Sequence, residues 1–495
     1  MTTLSASRYN NDGKNKYAFV DFPSAKIYKA TTGNSWYNHL IFGDYVKILD
    51  DNIVDGRVYV RSRNNNGWIK ASELRKDRIL EVNFIDIGVG DGCHVVTPDD
   101  KHLIIDAGKT DNMIRYLTWR FNLKNTKTPR KAFPMDIVIS HSDSDHYLGF
   151  SHVFKEKNLQ VGKVYHNGLV ERPGKDSLGA VAGDYITGIV NDTAEMKGII
   201  LNPDNIKGDG SVYCKTLNES LKNNPEIVFK ALSTDDGYVS GYEQSNKIDN
   251  REFSIKVLAP IRTDINGTKG LKTIKNLGKD KNGHSVILKI QYGNAKILLG
   301  GDVNEEFGKI IHEYYSSNNN LDDLRVDVAK ACHHGSNHFD YKFVESINAA
   351  GTVISSGDDE SYSHPRPDAI GTFGKCGYGA KPLIFSTELA RSNKEITKNV
   401  LLTLSEKMDE IKTLKTELKS ATDETAKGKC QAQIDKLEKE TNSFLTKYGM
   451  INLRTDGEKM IIAQKLERPS KDGKWDIHEL VYSPVTKRFE LEEKV

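Results

Sequence analysis

Five short apolar runs in this chain each break off at an acid or a histidine, and any fold it adopts has to accommodate all five. Ile137-Val138-Ile139 runs into His141-Ser142-Asp143-Ser144-Asp145-His146, and Leu103-Ile104-Ile105 ends in Asp106-Ala107-Gly108. Ile297-Leu298-Leu299 ends in Gly300-Gly301-Asp302, and Val328-Ala329-Lys330-Ala331-Cys332 in His333-His334-Gly335. Phe84-Ile85-Asp86-Ile87-Gly88 leads into Gly90-Asp91-Gly92. Apolar runs of this length bounded by turn residues read as buried strands. Their ends place polar side chains on a rigid base, which is how a site is assembled from distant sequence. Within the first turn, His141, Asp143, Asp145 and His146 form a nitrogen and oxygen donor set suited to zinc or manganese. The bland alternative is a polar turn that happens to be rich in His and Asp. The other strand ends count against it.

At these residues, and at Ser361-Tyr362-Ser363-His364-Pro365, the chain resembles the metallo-β-lactamase fold, in the ComEC-like branch of competence DNA uptake. The resemblance covers about residues 80 to 390, with a short return near 447 to 466. Val89 replaces the branch's usual Gln, Ser363 its Gly, and Gly92 the Ala after Asp91. What the resemblance implies is an αββα sandwich and two divalent ions, zinc or manganese. His141 and Asp143 would hold the first ion, Asp145 and His146 the second, and Asp302 would bridge them. One of His333 and His334 would complete the second site, and Asp106 would orient a ligand. A further histidine expected on the first ion is not evident, with His166 and His284 as candidates. Asp145 and His364 are the expected catalytic residues, His364 as a hydrogen-bond donor to the oxygen on which charge develops. Two ions about 3.5–4 Å apart activate a shared water for in-line attack, so metal-assisted hydrolysis is the implied reaction. The branch directs the substrate expectation toward a phosphodiester in DNA or RNA. A small-molecule hydrolase (cyclic nucleotide, phosphoester or lactone) and an inactive scaffold are the alternatives.

The 495 residues exceed one ordinary core and predict several domains. Residues 1–16 are Asn- and Ser-rich without an apolar core and read as a disordered tail. Residues 17–76 hold short β-rich runs (Tyr17–Val20, Lys26–Tyr28, Tyr45–Leu49, Arg57–Val60, Gly67–Lys70) separated by Gly, Asn and Asp turns. Their order is similar to bacterial SH3-like β-barrels, which implies docking of a protein partner or substrate. Simple packing against the main domain is the equal alternative.

Residues 80–392 form the main domain, an α+β expectation, with a lid-like insertion at 168–250 where Gly, Asn and Asp abound. Residues 393–446 carry Leu401, Leu404, Met408, Ile411, Leu414 and Leu418 at helical spacing, then Ile434, Leu437 and Leu445. They predict a helical hairpin or coiled coil, one route to a homodimer. Residues 447–495 would return as strands completing the sandwich.

Hydrophobic residues make up 37% and charged residues 28%, with no run of about 18 apolar residues, so a membrane span is not expected. Five scattered cysteines without a Cys-x-x-Cys pair favour a reducing, cytoplasmic setting. A net charge of +2 does not announce a nucleic-acid binder. The segment with Arg120, Lys124, Lys127, Arg130 and Lys131 is locally basic, and reads as a solvated loop or a guide for phosphates.

Overall fold

The computed structural model describes residues 2–63, 65–124, 132–357, 362–387, 398–421, 423–445, 449–466 and 470–492. It is a mixed α/β protein of the α+β class, divided into a large unit (1–390 with 450–495) and a small one (391–449).

Two sheets dominate the large unit. The first has ten strands in the order 228–231, 159–166, 133–138, 102–107, 92–96, 80–84, 451–455, 459–465, 475–483, 488–491. The second has seven, in the order 247–248, 251–259, 287–292, 295–299, 328–330, 351–354, 383–386. Strand alternation sorts their side chains. Leu103 and Ile105 enter a core shared with Leu288, Ile290, Ile297 and Leu299 of the second sheet. Ile104 faces the other way, with Met113, Leu117, Phe150 and Leu217 of helices Asn112–Phe121, Phe150–Lys155 and Val212–Asn223. Leu298 and Ile287 likewise meet Phe307, Ile311 and Phe343 of helices Glu305–Ser317 and Tyr341–Ile347. Period-2 burial on both faces explains why these strands read as continuous apolar runs.

Strand Leu80–Phe84 is the exception. Its outer face carries Glu81 and Asn83, both buried. Glu81 stands in register with Arg454 and is clamped by Arg120 (2.7 Å), Arg454 (3.3 Å) and Arg78 (3.7 Å). Arg120, read from the sequence as part of a basic loop, is therefore turned inward and spent on Glu81. Lys127, Arg130 and Lys131 lie outside the described residues.

Residues 168–250 are not a single inserted lid. Helix Val212–Asn223 buries Tyr213, Cys214 and Leu217 in the main core, and strand Val228–Ala231 pairs in parallel with Leu159–His166. The abundance of polar turn residues concealed two helices packed in the core, Thr193–Ile200 and Val212–Asn223, and one four-residue strand. Val181–Ala182 and Tyr185–Ile186 lie outside the two main sheets, forming a small sheet with 263–265 and 268–272.

The amino-terminal module is a nine-stranded antiparallel sheet with its own core of Ala18, Val20, Ile27, Val46, Val58, Val60 and Ile69. Its hairpin 45–54/57–62 turns at Asp55-Gly56, both at positive φ (49° and 77°), the geometry that selects Asp-Gly. The segment expected to be a disordered tail belongs to it. Thr2–Thr3 pairs with strand Tyr45–Val54, Leu4 is buried, and Arg8 Nη1 donates to the carbonyls of Ser72 (3.0 Å) and Leu74 (2.8 Å). Backbone pairing holds it, and low apolar content does not report backbone pairing. The module rests on the last strands of the chain through Ile41, Phe42 and Ile79 against Ile461, Ala463 and Trp475, and through an Arg75–Asp456 ion pair of 2.9 Å.

In the small unit, helices Lys398–Ser420 and Glu424–Leu445 form a hairpin. Cys430 Sγ donates to the Leu414 carbonyl (3.1 Å), and Gln433 Nε2 to Glu410 Oε1 (3.1 Å). No helix among the described residues is long and apolar enough to cross a membrane. All five cysteines are free thiols.

Candidate metal centre

The components of the site sit at or near strand ends. The Asp106 carboxylate accepts from Ser140 N–H (2.8 Å) and Ser140 Oγ (2.7 Å), which fixes it at 2.8 Å from His146 Nδ1. On the other side, His334 Nδ1 faces Asp91 Oδ1 and the Ser355 carbonyl, each at 3.1 Å. Both imidazoles thus have Nδ1 committed and Nε2 turned inward. Asp302 receives the two inward nitrogens, with Oδ2 at 3.2 Å from His146 Nε2 and 3.0 Å from His334 Nε2. Asp302 is itself set by its backbone N–H, which donates to Ser285 Oγ at 2.9 Å. Asp145 Oδ2 approaches His334 Nε2 to 3.6 Å.

Asp91, His146, Asp302 and His334 are all buried and each offers an atom within 4.8 Å of the others. Asp91, however, lies on the Nδ1 side of both rings and pairs with the buried Lys330 ammonium. We therefore assign Asp91 to orienting His334, as Asp106 orients His146. The inward donors are His146, His334, Asp302 and Asp145. No role for Asp91 was legible beyond its two flanking glycines. Gly90 adopts φ 105°, and a Cβ there would collide with the Asp145 carbonyl. That close approach lets the Asp91 N–H donate to Asp145 O at 3.3 Å, locking the two turns together.

These donors fit a divalent cation. The Nε2 atoms of His146 and His334 and Oδ1 of Asp302 are buried without a hydrogen-bond partner. Burial opposes protonation of His146, but Asp302 and Asp106 outweigh it and hold its pKa well above the ordinary value. The same balance, with Asp302 and Asp91 as the acids, raises His334. Burial would raise Asp302, yet the His334 and His146 imidazoles hold it well below the carboxylate range. A pocket that draws protons onto both histidines is one that calls for positive charge, which a metal ion supplies.

Other residues singled out in the sequence stand apart from this group. His141 is buried beside His146, ring centroids 4.1 Å apart, with Nδ1 near Ser140 Oγ (3.0 Å) and Ser285 Oγ (3.3 Å) and with Nε2, like that of His146, buried without a hydrogen-bond partner. Asp143 is bound to Lys281, and its Oδ2 is 3.7 Å from His141 Nε2. His284 Nε2 donates to the Lys272 carbonyl at 2.7 Å, and burial pushes its pKa down to about 4. His166 accepts the Gly168 N–H at Nδ1 (3.1 Å), and burial together with Arg262 lowers its pKa to about 3. Neither belongs to a group of three or more metal-capable donors among the described residues. Of the adjacent pair, His334 joins the group. His333, which shares the φ of 53° with His334, lies beside His364, ring centroids 5.9 Å apart, and is not in that group. His364 stacks on His334 at 6.3 Å and on the exposed Tyr362 at 5.9 Å, which puts it at the rim of the site. Burial pushes the Cys332 thiol up to about 12, and Cys332 is not in the group.

Asp106→Asn keeps the shape but removes the acceptor charge behind His146. Metal affinity is expected to fall about 10–100-fold with the fold intact, as read by competition with a chromogenic chelator. Unchanged affinity would show that Asp106 serves only the backbone at Ser140. No protein-family model and no curated protein matches this chain.

Proposed function

We propose that this chain is a metal-dependent hydrolase of the metallo-β-lactamase fold, in the ComEC-like branch, acting on phosphodiester bonds of DNA or RNA. The observation that carries the reading is the convergence of His146, His334, Asp302 and Asp145 from beyond three strand ends, with an acid behind each imidazole. In the same reading, the two facing sheets with outer helices are the family's αββα sandwich and the amino-terminal module is its SH3-like barrel. Zinc or manganese bound there would polarise a phosphoryl oxygen and acidify a coordinated water.

The chain's own residues supply the rest. Asp106 and Asp91 fix the rotation of the imidazoles, so no reorganisation is needed when charge develops. His364 stands over His334, placed to donate a hydrogen bond to a substrate oxygen or leaving group. Lys281, 13% exposed beside Asp143, adds fixed positive charge next to the metal donors.

The test is cleavage of single- and double-stranded DNA, RNA, cyclic dinucleotides and a chromogenic phosphodiester, before and after chelation and metal return. Metal-dependent cleavage of nucleic acid is the expected result. Cleavage confined to a cyclic dinucleotide or small ester would move the assignment to a small-molecule hydrolase, and no turnover with metal bound would leave a scaffold. His364→Ala is expected to lower kcat about 10²–10⁴-fold, more than it raises KM, because its contact strengthens in the transition state.

A further inference from the structure

Asp143, the expected partner of His141 on a first ion, has both carboxylate oxygens occupied by protein. Lys281 Nζ lies 2.5 Å from Oδ1. The Asn282 side-chain amide, oriented to satisfy its neighbours, donates to Oδ2 at 2.7 Å and to the Gly278 carbonyl at 3.1 Å. Lys281 is held from a second side by Glu171 Oε2 at 3.2 Å, and its side chain is only 13% exposed. Burial works against the ammonium, but Asp143 and Glu171 outweigh it and raise its pKa.

This lysine is also fixed from behind. Its helix, Leu277–Gly283, is capped by Asn276, whose side chain accepts the Lys279 N–H at 3.1 Å. Buried Asp280 in the same helix accepts from Thr273 Oγ1 (2.5 Å) and the Ile274 N–H (2.9 Å). The ammonium is therefore part of a built site and not a surface side chain that happened to fold inward.

We infer that the chain holds one metal ion, at the His146–Asp302–His334 donors, and that the Lys281 ammonium permanently takes the place of a second cation against Asp143. The inference rests on the metal-dependent reading of the site. His141 Nε2 is also buried without a partner, but among the described residues no group of three or more His, Cys, Asp or Glu donors gathers around it. Both Asp143 oxygens face protein donors, and His284 Nε2 is committed to the Lys272 carbonyl. A dication drawn to the same carboxylate would also meet the ammonium at close range and be repelled. A lysine suits the position because it is a compact point charge with three donors, two of which are used here. Unlike a second metal ion, its charge is not removed by a chelator.

The experiment is metal stoichiometry of the full chain, stripped with chelator and titrated with Zn²⁺ and Mn²⁺ under native mass spectrometry. The expected result is about one equivalent per chain in the wild type and in Asp143→Asn, and none in His334→Ala. Lys281→Ala should take up about one more equivalent, because it releases Asp143 and Glu171. Two equivalents in the wild type, falling to one in Asp143→Asn, would overturn the inference and leave the metal reading standing. No uptake by the wild type would remove the metal reading, and this inference with it. A folded Lys281→Ala that still binds one equivalent would overturn the role given to the lysine. Should Lys281→Ala not fold, the comparison of wild type with Asp143→Asn decides between one ion and two.

Discussion

Asp302→Ala is expected to abolish metal binding and to lower turnover by about 10³-fold or more, while the thermal unfolding transition survives. The carboxylate faces Nε2 of both His146 and His334, so its loss removes the one acid shared by the two inward nitrogens. Metal-assisted charge stabilisation is worth several kcal/mol, roughly three orders of magnitude in rate. Without Asp302 the two imidazoles also lose one of the carboxylates that raise their pKa, while Asp106 stays behind His146 and Asp91 behind His334. Elemental analysis and a melting curve on the same sample check both halves. Retention of a full equivalent of metal in a folded Asp302→Ala would displace Asp302 from the centre of the site.

The second large effect belongs to the polar layer behind strand Leu80–Phe84. Glu81→Gln is expected to destabilise the large unit by about 3–5 kcal/mol, because it leaves the guanidinium groups of Arg120 and Arg454 against a neutral side chain. Burial alone would raise the Glu81 pKa, but the three arginines outweigh it and lower it from 4.5 to about 2. A depressed folded-state pKa gives stabilisation that is fully present above the unfolded value. It is lost as pH falls through the folded one. Wild-type stability should therefore decline between about pH 4.5 and pH 2, and the decline should be shallower in Glu81→Gln. Denaturant titrations of both proteins at pH 7 and pH 3 would show it. Parallel pH profiles would place the acid sensitivity elsewhere.

Much of the donor set is readable from local pattern alone. His146, Asp302 and His334 each follow an apolar run, and alternation along a buried strand makes its end predictable. Asp106 is readable for the same reason. The status of Asp143 is not. A carboxylate two residues from a ligand histidine looks like another ligand until Lys281 arrives from a helix 138 positions along the chain. Asp91 is hidden in the same way, because its partners His334 and Lys330 come from the far sheet. Spacing reports what one turn offers, and it does not report which offers another segment has already taken up. Composition misleads differently. It made a tail of residues whose order comes from backbone pairing, and a lid of residues that contain a core helix and a sheet strand.

The ten-stranded sheet seats strand Ile451–Thr455 beside Leu80–Phe84, with three more strands outside it. A ribosome delivers these neighbours in the least convenient order. At about 5–20 residues per second, the edge of Leu80–Phe84 waits tens of seconds or more for its partner. Until then Glu81 has no Arg454 opposite it, and a row of unpaired amides and carbonyls faces water or a chaperone. A chain stopped short of Ile451 would carry every inward metal donor and still lack the strand that closes its own sheet. Truncation from the carboxyl end is thus a route to aggregation before it is a route to inactivity.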